Sequence, residues 1–75
     1  MRGNFVIKRM TGPRLEMVVD TVFPQNTSAY AFLVTRIEAR GGSVVFKEDD
    51  AENPGCMDIM ADFGGALEQY AIEAA

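Results

Sequence analysis

The strongest constraint on the fold of this chain is the alternation of side-chain type between residues 57 and 63. The odd positions are all apolar, and two of the three even positions are aspartates, Asp58 and Asp62, with Met60 between them. Successive side chains of a β-strand point to opposite faces of a sheet, so this segment predicts a strand with one core side and one open side. The predicted core side consists of Met57, Ile59, Ala61 and Phe63.

A second pattern, with the period of a helix, follows Pro24. Its apolar residues recur at the spacing of an amphipathic stripe, and the two glycines at positions 41 and 42 end it. Arg36 and Arg40 fall in the last turns, where the helix dipole favours cations, so we interpret them as helix-terminal charges rather than a phosphate clamp. The stripe is Tyr30, Leu33, Val34 and Ile37, and the N-cap candidates are Asn26, Thr27 and Ser28.

The remaining segments predict three more strands and a closing helix. The strands cover residues 5–10, 15–23 and 43–47, each rich in β-branched or alternating residues. Gly64 and Gly65 break the strand at 57–63, and the residues after them repeat the helical spacing. The apolar stripe of this predicted helix is Leu67, Tyr70, Ala71 and Ala74.

The resulting order, ββαββα, predicts a single small α+β domain covering residues 1–75. We expect a two-layer sandwich in which two helices cover one face of a four-stranded antiparallel sheet, as in a permuted ferredoxin-like fold. In that arrangement the second and fourth strands are neighbours, so Glu16 and Asp20 share the open face with the two aspartates at 58 and 62. A simple meander is the alternative topology and would separate those acids.

Charge is distributed unevenly along the chain. The net charge is −4, but residues 1–14 carry four basic side chains and no acid, whereas residues 48–75 carry eight acids and no base. The acidic run from Glu48 to Glu52 lacks the ligand spacing and glycine of a calcium-binding loop, so we interpret it as a solvated hairpin loop. The predicted partner-binding residues are Glu16, Asp20, Asp49, Asp50, Glu52, Asp58, Met60 and Asp62.

Catalytic chemistry has little support in this sequence. The chain has no histidine, and Cys56, its only cysteine, therefore has no imidazole to activate it. The Gly64-Gly65 pair has acids beside it that would repel a phosphate. We expect no enzyme activity, no cofactor and no metal. The absence of an internal disulfide, of a long apolar run and of a secretion signal predicts a cytoplasmic protein.

Two resemblances bear on function. The Pro54-Gly55-Cys56 segment and the stretch from Ala66 to Ala74, over about the last quarter of this chain, resemble the Pro-Gly-Cys to amphipathic-helix stretch of HicB-type antitoxins. In that family a Thr-x-x-Glu-Ala sequence starts the helix, and this chain has no counterpart of it. Small acidic phage proteins that inhibit host machinery, anti-CRISPR proteins among them, are similar in size, charge and lack of motifs, which implies an inhibitor.

These observations favour a small protein–protein interaction module. We expect an acidic surface, on the open face or on the loop, to engage a basic protein surface that otherwise holds nucleic acid. The alternative is a nucleic-acid-binding module that uses Lys8, Arg9 and Arg14 of the basic amino-terminal hairpin, although eight acids on the same small body oppose it. The sequence leaves the oligomeric state open.

Overall fold

Six antiparallel strands form one sheet, and a single helix covers one of its faces in the computed structural model, which describes all 75 residues. The elements are β1 Arg2–Thr11, β2 Arg14–Met17, β3 Phe23–Gln25, α1 Asn26–Ala39, β4 Ser43–Asp49, β5 Met57–Phe63 and β6 Ala66–Ala74. The sheet order is β2-β1-β6-β5-β4, and β3 also pairs with β1. We call the sheet face opposite α1 the open face.

The predicted strand at 15–23 is interrupted. Arg9 pairs with Glu16 of β2 and with Tyr70 of β6, whereas Phe5 pairs with Phe23 of β3 and with Ala74 of β6. Because β6 occupies one edge of β1, both β2 and β3 lie on the other edge. They are two pieces of one edge strand, separated by residues 18–22, and the sheet is five strands wide.

The core lies between α1 and the sheet. The predicted core side of β5 is confirmed, since Met57, Ile59 and Ala61 are buried and Phe63 packs against them. The predicted helix is also confirmed, but no side chain caps its first turn, and the amide oxygen of Asn26 accepts a hydrogen bond from the Met1 ammonium instead. The other buried apolar residues in this core are Phe5, Ile7, Ala29, Leu33, Ile37, Tyr70 and Ile72.

The predicted closing helix is wrong, because residues 66–74 form β6, and the four-stranded sheet with two covering helices is wrong with it. Phe63 pairs with Ala66 across a two-residue turn, and Gly64 and Gly65 adopt φ of 69° and 98°. Positive φ at both central residues is the geometry that joins two antiparallel strands in a tight hairpin. The two glycines therefore mark a β-hairpin rather than the start of a helix.

The position of β6 explains why its sequence resembles a helix. It is the central strand, between β1 and β5. Tyr70 and Ile72 are buried under α1, and the small Ala71, on the open face between Lys8 and Asp58, is buried as well, so the run is apolar and buried throughout. A short apolar run of this kind cannot be distinguished from a helix by periodicity alone. The helix implied by the HicB resemblance is absent as well, because its residues form β6.

Candidate interaction surfaces

The predicted cluster of four carboxylates on the open face does not form. β1 and β6 lie between β2 and β5, so Glu16 is three strands away from Asp58 and Asp62. Glu16 is in register with Arg9, which is in register with the buried Tyr70, so all three lie on the helix side of the sheet. Asp20 is exposed in the segment between β2 and β3, at the sheet edge remote from β5.

Asp58, Met60 and Asp62 do lie on the open face, at three different levels of β5. Asp58 pairs with Glu48 of β4, so two carboxylates are neighbours there. Asp62 accepts a hydrogen bond from the backbone N–H of Gly65 at 2.7 Å, which holds the β5–β6 turn. The carboxylate of Asp62 therefore has a structural partner within the chain.

Four more acids lie together in the last two residues of β4 and the turn that follows, a segment that we call the acidic loop and define as Glu48, Asp49, Asp50 and Glu52. All are exposed except the half-buried Asp50. Lys47 Nζ, at 3.7 Å from Asp49, is the only cation within 4 Å of these carboxylates. The acidic loop thus carries four carboxylates with almost no internal neutralisation.

Asp50 shapes the acidic loop. Its Oδ1 accepts hydrogen bonds from the backbone N–H groups of Glu52 and Asn53, at 2.9 and 3.3 Å, and its Oδ2 accepts one from Asn53 Nδ2 at 2.9 Å. The Asn53 amide and these backbone donors hold the pKa of Asp50 below its ordinary value. Asp50 organises the loop, whereas Asp49 and Glu52 extend from it into solvent.

The basic amino-terminal hairpin is partly neutralised by the acidic half of the chain. Lys8 Nζ lies 2.9 Å from Glu73 Oε1, and Arg9 Nη1 lies 3.4 Å from Glu68 Oε1. Arg14 has no carboxylate within 4 Å. Since two of the three cations proposed for nucleic-acid binding already face carboxylates, the basic surface available to a phosphate backbone is small.

A polar network near the carboxyl end of α1 was not predicted. Arg40 Nη1 donates to the hydroxyl of Tyr70 at 3.1 Å, and Arg40 Nη2 donates to Glu68 Oε2 at 3.2 Å. The Arg40 guanidinium also lies 4.6 Å from the ring centroid of Phe63. Sequence reasoning missed this network because it assigned the residues after Gly65 to a helix, whereas β6 places Glu68 and Tyr70 on the same face of the sheet, beside Arg40.

The network explains the protonation properties of its members. Burial alone would raise the pKa of Glu68, but hydrogen bonds from Tyr70 and Arg40, and the charges of Arg40 and Arg9, outweigh it and leave the pKa lowered. Burial and the neighbouring Glu68 raise the pKa of Tyr70. A cleft of about 140 Å³ beside the network is lined by Arg9, Arg36 and Arg40, but two of these guanidinium groups already bind Glu68.

The open face also exposes apolar side chains that sequence reasoning did not select, apart from Met60. Met60 is in register with Phe46 of β4, whose side chain is 47% exposed. Leu67 of β6 and Leu15 of β2 are exposed on the same face, at 60% and 42%. In the sequence, Met10 and Leu15 each stand between two polar residues, and this alternation was the available signal. The face of the sheet on which they lie could be assigned only once their strand neighbours were known.

Comparisons with known proteins identify no relative of this chain. The chain matches no protein-family model, and searches of curated proteins and of solved structures find nothing similar to it. Cys56 is a free, half-buried thiol, and no three side chains of metal-ligating type converge on one point. The one helix, of 14 residues, lacks the length and apolar content to cross a bilayer.

Proposed function

We propose that this protein is a non-enzymatic interaction module that uses the acidic loop to bind a basic protein surface. The observation that carries the proposal is the concentration of Glu48, Asp49, Asp50 and Glu52 at one end of the sheet with a single cation, Lys47, within reach. The other acids of the chain have different positions or partners. Glu68 and Glu73 form ion pairs, and Asp62 accepts a backbone hydrogen bond.

The physical basis of the proposed contact is electrostatic steering. Unpaired charges of one sign at a protruding site raise the rate of encounter with an oppositely charged surface by a factor of about 10 to 1,000, and salt weakens the effect. Asp50 preorganises the loop through its three hydrogen bonds, so less conformational entropy is lost when a partner binds. A basic surface that normally holds nucleic acid matches this charge, and occupying it would inhibit the partner. We place this role in the cytoplasm, where Cys56 would stay reduced.

The test compares two double charge reversals with the same change in net charge. Asp49→Lys with Glu52→Lys removes the outward carboxylates of the acidic loop, whereas Asp20→Lys with Glu38→Lys reverses two exposed acids elsewhere. Asp50 is left unchanged because its side chain holds the loop. Proteins from the native host that bind the immobilised wild-type chain at low salt would be identified, purified, and measured for association rate with each variant.

We expect the loop variant to associate at least about tenfold more slowly and to lose most of its salt dependence, while the control variant keeps the wild-type rate. The wild-type chain should also displace a fluorescent oligonucleotide from the purified partner. Equal rates for the two variants would show that the acidic loop is not the contact. Direct, salt-dependent binding of the oligonucleotide to the isolated chain would support the nucleic-acid-binding alternative instead.

A further inference from the structure

Two rows of side chains cross the open face, each with one residue from every strand between β2 and β4. Both rows are defined by strand register, and the adjacency of Met10 and Gln69 follows from the pairing of Arg9 with Tyr70. The first row, from β2 to β4, is Leu15, Met10, Gln69, Met60 and Phe46. The second row is Met17, Lys8, Ala71, Asp58 and Glu48.

The first row is apolar on both sides of its central glutamine, and no part of the chain covers it. Leu15 and Phe46 remain more than 40% exposed, and Met17 of the second row is 49% exposed. A contiguous band of apolar side chains on a sheet face differs from the scattered apolar residues of an ordinary solvated surface, and such bands mark interaction sites.

In the second row, the charge is positive on one side of β6 and negative on the other. Lys8 lies one strand from Ala71 in one direction, and Asp58 lies one strand from it in the other. A rotation of 180° about an axis parallel to β6 exchanges these two sides. Such a rotation would place Lys8 of one chain opposite Asp58 of another.

We propose that a second copy of this chain packs on the open face, about a two-fold axis that runs along β6. This arrangement places Met10 opposite Met60 and Leu15 opposite Phe46, so apolar side chains of the first row meet apolar side chains. Each Lys8 meets an Asp58, each Met17 meets a Glu48, and the small Ala71 lies at the axis, where it lets the sheets approach. Glu73 of β6 also lies at the axis and meets its own copy, but each Glu73 forms an ion pair with Lys8 of its own chain at 2.9 Å. Two sheets packed face to face at about 10 Å, with their strands nearly aligned, are a common arrangement.

The charges on the open face favour this axis over a two-fold axis perpendicular to the strands, which would also keep the strands of the two sheets aligned. A two-fold axis perpendicular to the strands would place β4 on β4 and β5 on β5. If that axis passed through the second row, Glu48 and Asp58 would face their own copies, and if it passed through the first row, each Asp58 would face an Asp62. Four carboxylates would then be buried together, which is strongly unfavourable. The ammonium of Lys8 already forms an ion pair with Glu73, but it carries three N–H donors and can serve a second carboxylate.

The dimer has a consequence that rests on the proposed function. Because the axis is parallel to the strands, both copies extend their acidic loops from the same end of the assembly, at opposite edges. A partner with two basic sites at that spacing would be held by both loops, and the second contact would form at high effective concentration. The dimer itself does not depend on the role of the acidic loop.

The first measurement is sedimentation equilibrium of the full chain over a concentration series up to about 1 mM. We expect a species of twice the 8.2 kDa chain mass, whose dissociation constant weakens at least about tenfold in Lys8→Asp and in Asp58→Lys, because like charges would then face each other. Circular dichroism checks that each variant remains folded. A wild-type chain that stays monomeric throughout the series would refute the proposal.

The decisive control is to mix the two variants. In a mixed dimer the carboxylate introduced by K8D faces the ammonium introduced by D58K, and the native Asp58 of the first chain faces the native Lys8 of the second. We expect the mixture to dimerise with about the wild-type affinity although each variant alone does not. Single variants that dimerise like the wild type would rule out this axis, and so would a mixture that fails to recover. Neither outcome bears on partner binding by the acidic loop.

Discussion

The hydroxyl of Tyr70 lies 3.0 Å from Oε1 of Glu68, two residues earlier on the same central strand, and both side chains point toward the carboxyl end of α1. Arg40, the residue that follows α1, donates to both of them. This contact joins the last turn of the helix to the centre of the sheet. It also stabilises a carboxylate that burial would otherwise destabilise.

Replacing Tyr70 by phenylalanine should keep the packing of the ring and remove only the hydroxyl. The change removes the hydrogen bond that Tyr70 donates to Glu68 and the one that it accepts from Arg40. We therefore expect a loss of about 1 to 3 kcal/mol in the free energy of unfolding. Urea denaturation at neutral pH measures it. A loss as large as that of a truncated core residue would mean that the ring itself had moved.

Acid should weaken the protein partly through Glu68. Its pKa is lowered in the folded chain from an ordinary 4.5, so its stabilising effect is complete above that pH and is lost as the pH falls through the folded pKa. Glu68→Gln should therefore flatten the dependence of stability on pH below about 4.5. Glu52→Gln is the control, because that side chain forms no ion pair, and its curve should follow the wild type.

Truncation of Ile59 tests the core side of β5. The side chain is fully buried between the sheet and α1, so Ile59→Ala should cost about 2 to 5 kcal/mol. Val22→Ala, at a half-exposed position between β2 and β3, should stay within about 0.5 kcal/mol of the wild type. Thermal and urea denaturation of both variants check the difference, and a small effect at Ile59 would contradict the assigned core.

The two adjacent glycines after α1 should respond to substitution for different reasons. A Cβ at position 42 would lie 2.5 Å from the Phe63 ring, so Gly42→Ala should cost about 1 to 3 kcal/mol through overpacking. A Cβ at position 41 has open space, but φ there is 84°, and Gly41→Ala should cost about 1 to 2 kcal/mol through backbone strain.

A double-mutant cycle separates these two causes. In a Phe63→Leu background the smaller side chain should relieve part of the cost of Gly42→Ala and none of the cost of Gly41→Ala. Equal costs in both backgrounds would show that the Phe63 ring adapts and does not resist the new methyl group.

The elements that sequence reasoning predicted correctly are those with one covered face. α1 and β5 each bury one side and expose the other, so the period of their apolar residues reports their geometry directly. In β6 the three consecutive residues Tyr70, Ala71 and Ile72 are all buried, although Ala71 lies on the open face, and the period of two is lost in this run. The turn glycines at 64 and 65 were the informative residues, since both need positive φ in a two-residue hairpin.

The candidate surfaces were predictable only in part, because they depend on strand order. Composition was sufficient to locate the acidic loop, whose residues are contiguous in sequence. The positions of Lys8 and Asp58 on either side of Ala71 could not be foreseen, since Lys8 and Ala71 are strand neighbours that are far apart in sequence. The wrong position of Glu16 had two causes, the wrong strand order and the assignment of its side chain to the open face rather than to the helix side.

The central place of β6 also constrains when the molecule can fold. During synthesis, β1 leaves the ribosome long before β6, its neighbour in the sheet, since Phe5 pairs with Ala74. The helix and the β4–β5 hairpin can form locally, but neither can close the core without β6. The nascent chain therefore exposes the apolar side of β1 until β6 has been synthesised. Closing the sheet joins strands that are far apart in sequence, and such a high contact order favours slow folding.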